Sequence, residues 1–172
     1  MTETESTQKN FSWFPARVRF GQEIKIKEIL DKLGVESFIP TESRKNYRGK
    51  AKLHPVIPAL VFIRSTKKQA TDLRVVNQLP LSYLFDSAAH RMMVVPDKQM
   101  ADFQKVLDMS MQEGGLIDTA IAPGAKVVVA KGPLRGVEGF VTQADGKCYV
   151  VVSLLGSVFA KAQVPRAFLE LV

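Results

Sequence analysis

The sequence has one cysteine, two histidines and no long hydrophobic run, and each shortage excludes a class of protein. Cys148 cannot form an internal disulfide, so we expect a reducing compartment. No apolar stretch approaches the roughly 18 to 20 residues that a membrane-spanning helix needs. The polar start, MTETESTQKN, has no apolar core of a signal peptide. The sequence therefore predicts a soluble, cytoplasmic protein without a membrane partner.

The residue patterns of catalysis and cofactor binding are also missing. His54 and His90 share no metal-ligand spacing with Cys148. There is no phosphate-binding loop, no dinucleotide-binding glycine pattern, and neither a GxSxG nor an HExxH motif. No carboxylate pair is placed as an acid/base couple. We therefore expect a binding protein with no catalytic residues, metal or cofactor, and a hydrolase or transferase with a dispersed site is a remote alternative.

Positive charge is plentiful and unevenly distributed. The 172 residues carry a formal net charge of +7, which favours an anionic partner, nucleic acid first. From Ser43 to Thr71 there are eight Lys or Arg and no Asp or Glu. The basic stretch Arg44 to His54 has no clean period, which predicts a loop or a long hairpin arm. Its part from Arg44 to Lys52 is expected to be either a contact for duplex DNA or a mobile loop.

The N-terminal two thirds alternate between strand and helix patterns. Residues 11–20 predict a strand whose Pro15 suggests an edge position or a bulge. Residues 22–33 predict a helix with one apolar face, ended by Gly34. Further strands are predicted at 35–39, 56–63, 82–85 and 92–95, and helices at 67–76 and from Asp97 to Gly114. The apolar stripe of that last helix comprises Met100, Phe103, Val106, Leu107 and Met111.

After residue 123 the periodicity changes to five short strands, predicted at 126–130, 137–144, 147–155, 158–164 and 168–172. Asp145–Gly146 is a strong hairpin signal. In KGPLRGVEGFV, residues 131–141, Gly132 and Pro133 make a turn, while Gly136 and Gly139 permit positive φ, a bulge or close backbone approach. The pattern predicts a small, strongly bent barrel as a second domain, and its valine density favours strand over helix.

Several strings resemble a known family. GAKVVVAKGPLRGVEGFV, residues 124–141, resembles a KOW motif. Upstream, WFPARVRFGQEIKIKEIL, VESFIP, IPALVFI and VPDKQMADFQ resemble, in order, the NGN domain of NusG-family transcription factors. The likeness spans Ser12 to Val172. GVESFIP and VPDKQM make it most similar to the specialised UpxY-type paralogues of Bacteroides and, more distantly, to RfaH.

The resemblance implies an α+β fold and a non-enzymatic elongation or antitermination factor. An NGN domain (11–115), a four-stranded antiparallel sheet flanked by helices, is joined by a linker (116–123) to a KOW domain (124–172), a small SH3-like β-barrel. Family members bind the clamp helices of the largest RNA polymerase subunit, and specialised ones contact non-template DNA. The KOW barrel recruits a second partner, the NusE ribosomal protein or Rho. The likeness further implies a monomer with an operon-specific role at capsule or exopolysaccharide loci.

The family's functional positions carry over to three sets of residues. The polymerase-binding set is Phe14, Arg17, Ile57, Pro58, Leu60, Phe62 and Phe85. The DNA-binding set is Arg19, Phe20, Gln22, Lys25 and Lys32. The KOW partner set is Leu155 and Phe159.

Plainer interpretations stay open beside these. Ile57 and Phe62 are equally explained as core residues of a strand. Lys25 and Lys32 are equally explained as a solvated helix face with pairing between Glu28 and Lys32, and Phe159 as barrel interior. At the level of function, the alternatives are a general NusG factor or a ribosome-associated KOW-type RNA-binding protein.

Overall fold

The computed structural model describes residues 10–113, 124–144, 146–155 and 158–172. The chain forms two compact units, Met1–Ile39 with Ile57–Val94, and Pro40–Val56 with Val95–Val172. The predicted linker lies within a stretch outside the described residues, so the limits 11–115, 116–123 and 124–172 stay a prediction. No helix in the described part of the chain is long and apolar enough to cross a bilayer.

The helices and strands follow one another in mixed order. The first half of the chain contains β1 (Ser12–Arg17), α1 (Glu23–Lys32), β2 (Glu36–Phe38), β3 (Thr41–Lys45), β4 (Ala51–Pro55), β5 (Leu60–Ser65), α2 (Lys67–Val75), β6 (Ser82–Tyr83), β7 (Phe85–Asp86) and β8 (Arg91–Met92). The second half contains α3 (Asp97–Glu113), β9 (Lys126–Val129), β10 (Glu138–Ala144), β11 (Lys147–Leu154), β12 (Val158–Gln163) and β13 (Leu169–Leu171).

The first unit contains the predicted four-stranded antiparallel sheet, which we call the N-terminal sheet. Its strand order is β2-β5-β1-β6, and every pair is antiparallel. One face forms a buried core with the two helices, built from Ala16, Val18, Ile26, Leu30, Val35, Ile39, Val61, Ile63, Leu73, Leu79 and Leu81. The sheet flanked by helices is therefore confirmed.

Helix α1 forms where its sequence predicts. Ile26 and Leu30 are buried, whereas Leu33 at the end of the predicted apolar face is 44% exposed. Gly34 adopts a φ of +71°, a conformation that glycine enters without the steric cost of a side chain. The amide of Val35 donates to the carbonyl of Leu30 at 2.9 Å, and that of Gly34 to Asp31 at 3.1 Å. These two bonds are a Schellman motif, so the predicted glycine cap is confirmed.

Pro15 is not at the edge of its sheet, which corrects one prediction, because β1 lies between β5 and β6. The carbonyl of Pro15 accepts a bond from the amide of Leu84 at 3.0 Å, so the backbone polar groups of this residue face the β6 side. There the ladder reaches only Ala16 and Arg17. The missing N–H therefore removes no bond to β5, and an interior strand tolerates the proline.

The strand predicted to begin at Val56 begins at Leu60 instead. Residues 56–59 form a bend and a turn, and Ala59 has a φ of +61°, which a strand does not accommodate. The basic stretch before it forms a two-stranded hairpin of β3 and β4, which confirms the hairpin interpretation.

The second unit contains a five-stranded antiparallel sheet, the C-terminal sheet, in the order β12-β11-β10-β9-β13. All five predicted strands are present, so this segment is β structure. Val150 and Val152 of β11 share the inner face with Ala162 and Ala160 of β12, and all four are buried. Helix α3 packs across β11 and β12 on the outer face, where Val151 is only 2% exposed.

Candidate functional site

The predicted polymerase-binding residues fall on two faces of the N-terminal sheet. Phe62 lies opposite Pro15 and Leu60 opposite Arg17, whereas Phe14 lies opposite Ile63. Directly opposed residues share a face and neighbours alternate. Leu60, Phe62 and Arg17 therefore share one face, and Phe14 points to the helix-covered face.

Burial divides the same set further. Phe62 is fully buried, and Leu60 and Phe14 are at most 7% exposed. The ring of Phe14 meets that of Tyr83 edge to face, with 6.3 Å between centroids. These three side chains are core residues, as the plainer interpretation of Phe62 has it. Arg17 and Pro58 are exposed, Ile57 is half-buried, and Phe85 is 58% exposed on the separate β7–β8 hairpin.

The predicted DNA-binding residues lie around the start of α1. Arg19 and Phe20 are exposed in the loop after β1, and Phe20 is 78% exposed. Gln22 is the N-cap of α1, and the exposed Lys25 and Lys32 lie seven positions apart on one flank of that helix. Since a helix turns 100° per residue, seven positions return the lysines to the same side.

Both lysines lack an acidic partner among the residues the structure describes. The pairing considered between Glu28 and Lys32 does not form there, and the ion pair on α1 joins Lys27 to Asp31 at 3.1 Å. Within the same described residues, Arg17 and Arg19 have no ion pair either. All four of these basic side chains are exposed.

Glu23 is a structural residue that the sequence reasoning missed. It is the first residue of α1 and only 3% exposed. Its Oε1 accepts the amide of Ala59 at 2.8 Å and that of Gly21 at 3.2 Å. The amide of Val18 also donates to the carbonyl of Ala59 at 3.0 Å. An acid two residues after a loop glycine and at a helix start was the available signal.

The Glu23 carboxylate is held in its charged form. Burial acts to raise the pKa of Glu23, but backbone hydrogen bonds from Ala59, from Glu23 itself and from Gly21 outweigh it, and the pKa is lowered overall. A buried carboxylate that accepts hydrogen bonds from several N–H groups is held in one position. It ties the loop before α1 to the turn before β5.

These contacts bring part of both predicted sets together in one place, which we call the Glu23 corner. It consists of the exposed or half-buried residues around Glu23, namely Arg17, Arg19, Phe20, Gln22, Ile57 and Pro58. The corner combines a half-buried apolar turn, an exposed aromatic ring and two guanidinium groups that form no ion pair with any described residue. Such a surface can bind an amphipathic partner and an anionic one side by side.

Of the two predicted KOW partner residues, Leu155 directly follows β11 and Phe159 is the second residue of β12. Leu155 is half-buried with a φ of +57°. Phe159 lies opposite Ser153, so it shares the outer face with Val151 and does not fill the inner face. The alternative of Phe159 as barrel interior is therefore wrong. In the described ranges, no group of three His, Cys, Asp or Glu side chains is arranged to hold a metal ion.

The fold is that of an NGN domain followed by a β-rich, KOW-like domain. A family model described as transcription termination factor nusG matches residues 11–104, more than half of the chain. The chain belongs to the NusG family. It is thus a transcription factor of the elongation and antitermination class, a class that is non-enzymatic, and the family indicates RNA polymerase as its partner.

One solved structure with a similar chain is described as "Domain interaction in Thermotoga maritima NusG". The two chains are 16% identical with a TM-score of 0.45, and the match covers 94% of this chain and 97% of the other. No curated protein matches this chain.

Proposed function

We propose that this protein binds the clamp helices of the largest RNA polymerase subunit with one side of the Glu23 corner and non-template DNA with the other. It acts by binding alone, and it lengthens transcripts by suppressing pausing or termination. The observation that carries this proposal is the pair of hydrogen bonds from Ala59 and Gly21 to Glu23, which hold the two sides in one rigid frame.

The polymerase side consists of Arg17, Ile57 and Pro58. These side chains are accessible, whereas Leu60 and Phe62 are buried and support the surface from beneath. An apolar turn beside an exposed cation suits a partner helix with apolar and acidic positions. Phe85, also exposed, is proposed as a separate apolar contact.

The DNA side consists of the part of the corner before α1 together with the adjoining flank of that helix, which carries Lys25 and Lys32. Phe20 offers an exposed ring on which an unpaired base can stack, and Gln22 offers an amide to a base edge. Arg19, Lys25 and Lys32 supply charge for phosphates. The separated strand of a transcription bubble has this combination of unpaired bases and backbone charge.

The remaining parts of the proposal concern specialisation. We infer that Leu155 and Phe159 contact a second partner, with the NusE ribosomal protein and Rho as the candidates. We also infer an operon-specific role of the UpxY kind. The test is in vitro transcription from two templates, the operon that contains this protein's own gene and an unrelated operon. A general NusG factor would act on both templates, whereas an operon-specific factor would act on the first alone.

The polymerase contact is tested with an Arg17→Glu and Ile57→Glu double variant in co-purification with RNA polymerase. Neither side chain is fully buried, so the fold should persist while an acidic, polar surface replaces the basic, apolar one. Lys67→Glu is the matched control, because α2 packs on the opposite face of the N-terminal sheet. We expect the double variant to lose polymerase and terminator read-through, and the control to keep both. Retention by the double variant would refute this surface, and co-sedimentation with ribosomes instead would favour the RNA-binding alternative.

A further inference from the structure

The hairpin of β3 and β4, which we call the basic arm (residues 41–55), places like charges against each other. Arg44 lies directly opposite Lys52, and Glu42 directly opposite His54 on the same face. Directly opposed like charges destabilise a two-stranded ladder. A two-stranded hairpin is itself only marginally stable in water. The arm therefore has an electrostatic cost that an anionic partner would remove.

Little in the described structure offsets this charge. Glu42 forms an ion pair with Arg44. Among the described residues, no ion pair involves Lys45, Arg48, Lys50 or Lys52. All four of these cations are exposed. One acid against five bases leaves the arm a net cation.

The tip of the arm is ordered by Asn46. Its side-chain Oδ1 accepts the amides of Arg48 and Lys50, each at 2.9 Å. Its backbone amide donates to the carbonyl of Lys50 at 2.9 Å, and its carbonyl accepts the amide of Gly49 at 2.9 Å. Gly49 takes a φ of +78°, which the closing turn requires. The backbone of the tip therefore has a defined conformation.

Tyr47 lies at this tip, and it is 90% exposed. The guanidinium of Arg48 lies 5.3 Å from the centre of the Tyr47 ring, so cation and aromatic face form one unit. A tyrosine buries a large apolar ring when it finds a partner, and here the ring has almost no cover. An exposed ring among five bases matches the chemistry of a base-stacking site.

We infer that the tip of the basic arm binds single-stranded nucleic acid. Tyr47 stacks on an unpaired base, Arg48 and Lys50 contact the flanking phosphates, and Arg44 and Lys52 contact phosphates along the ribbon. A basic ribbon in the major groove of a duplex would need the charge but not the exposed ring, because paired bases offer no free face. The site uses none of the Glu23 corner and so goes beyond the proposed function.

The inference is tested by fluorescence anisotropy of the full chain with labelled oligonucleotides about 12 nucleotides long, within the site sizes of such proteins. Single-stranded DNA, single-stranded RNA and duplex DNA of one sequence are compared. We expect Tyr47→Ala to weaken single-strand binding about 5- to 100-fold, and Tyr47→Phe to change it by no more than about two-fold, because the ring and not the hydroxyl does the stacking. Duplex binding should change by less than about two-fold.

Salt dependence gives a second measurement. Replacing Arg44 and Lys52 with Gln should lower the slope of log K against log salt on single strands by roughly 0.7 for each phosphate that is no longer neutralised. Lys147→Gln, an exposed lysine at the start of β11, is the control and should leave the slope unchanged.

Two results would overturn the inference. One is normal single-strand binding by Tyr47→Ala. The other is an equal loss on duplex and single strand, which would indicate a groove contact instead. A Lys25→Ala and Lys32→Ala variant distinguishes this site from the proposed DNA contact on the flank of α1. If that variant loses single-strand binding while Tyr47→Ala keeps it, the arm inference fails and the proposed function stands.

Discussion

At the scale of the residue, the buried carboxylate of Glu23 determines the shape of the Glu23 corner although it is not itself exposed there. A left-handed conformation costs a residue with a Cβ about 1–2 kcal/mol. Ala59 bears this cost at the turn before β5, and its amide is held by Glu23. The hydrogen bond from the Ala59 amide to the Glu23 carboxylate and the strained conformation of Ala59 therefore depend on each other. The shape of the corner therefore depends on a residue that hardly reaches solvent.

We predict that Glu23→Gln lowers the free energy of unfolding by about 1–3 kcal/mol at neutral pH, because hydrogen bonds to a charged acceptor are stronger than those to an amide. The measurement is urea unfolding followed by the fluorescence of the buried Trp13. Glu28→Gln, an exposed acid on the same helix, is the control and should stay within about 0.5 kcal/mol of the parent.

The same residue predicts a pH dependence. The folded-state pKa of Glu23 lies below its ordinary value of 4.5. The stabilisation from Glu23 is therefore complete above that ordinary value and declines as the pH falls toward the folded-state pKa, where the folded state also takes up the proton. Unfolding measured from neutral pH into this acid range should show the gap between the parent and Glu23→Gln narrowing. A gap that widens in acid would contradict the assignment.

At the scale of the element, the glycines of the segment 131–141 have separate causes. Gly132 and Gly136 have φ near +90°, which turns require. Gly139 has no such φ, but a Cβ there would lie 2.3 Å from the backbone oxygen of Val151 on β11. The first two glycines allow the chain to turn, and the third allows β10 and β11 to lie close to each other. The sequence assigned the turn to Gly132 and left open, for Gly136 and Gly139, which has positive φ and which allows close backbone approach.

We predict that Gly139→Ala destabilises the chain by about 1–3 kcal/mol or more, since the clash is with backbone, which cannot move aside as a side chain can. Thermal unfolding by circular dichroism measures the change. Gln143→Ala, at an exposed site on the same strand, is the control. Equal stability of the two variants would mean that β10 can shift away from β11.

Local signals predicted the elements well where the chain itself sets the boundary. Gly34 ends α1 through hydrogen bonds within the same segment, so the helix was predictable to within a residue. The start of β5 was missed by four residues because Ile57 and Pro58 look like strand and core residues. Their turn depends on Glu23, far away in sequence. The candidate site was incompletely predicted for a similar reason. Phe14 and Phe62 both lie in apolar strand sequences, and only the strand register shows that they lie on opposite faces of the sheet.

At the scale of the whole molecule, sequence predicts that α3 buries one face but not what covers it. Met100, Phe103, Val106 and Leu107 are buried as expected. The helix packs on β11 and β12 of the C-terminal sheet, although it begins within the segment that matches the family model. Its polar contacts are specific, since Gln99 donates to the carbonyl of Ser153 at 2.6 Å. Such pairings between distant segments leave no periodic mark.

The centre of this contact is Asp102, which is 4% exposed. Its Oδ2 accepts Lys98 Nζ at 2.5 Å and the backbone amide of Glu138 at 3.1 Å, while Lys98 also donates to the carbonyl of Gly136 at 2.8 Å. A buried acid therefore fastens α3 to the start of β10. Removing it leaves the Glu138 amide without its acceptor, which costs about 1–3 kcal/mol. Lys98 adds less, because its side chain is 58% exposed and screened by water.

We predict that Asp102→Ala lowers the free energy of unfolding by about 1–3 kcal/mol and speeds hydrogen exchange at the Glu138 amide, because both depend on the same acceptor. Asp108→Ala, an exposed acid on the same helix, should do neither. Exchange resolved by residue decides between two causes. If α3 only stabilises the chain in general, protection falls evenly across the C-terminal sheet. If Asp102 is the local fastener, protection falls first at Glu138 and the adjoining end of β10, while Val150 and Val152 on the inner face stay protected.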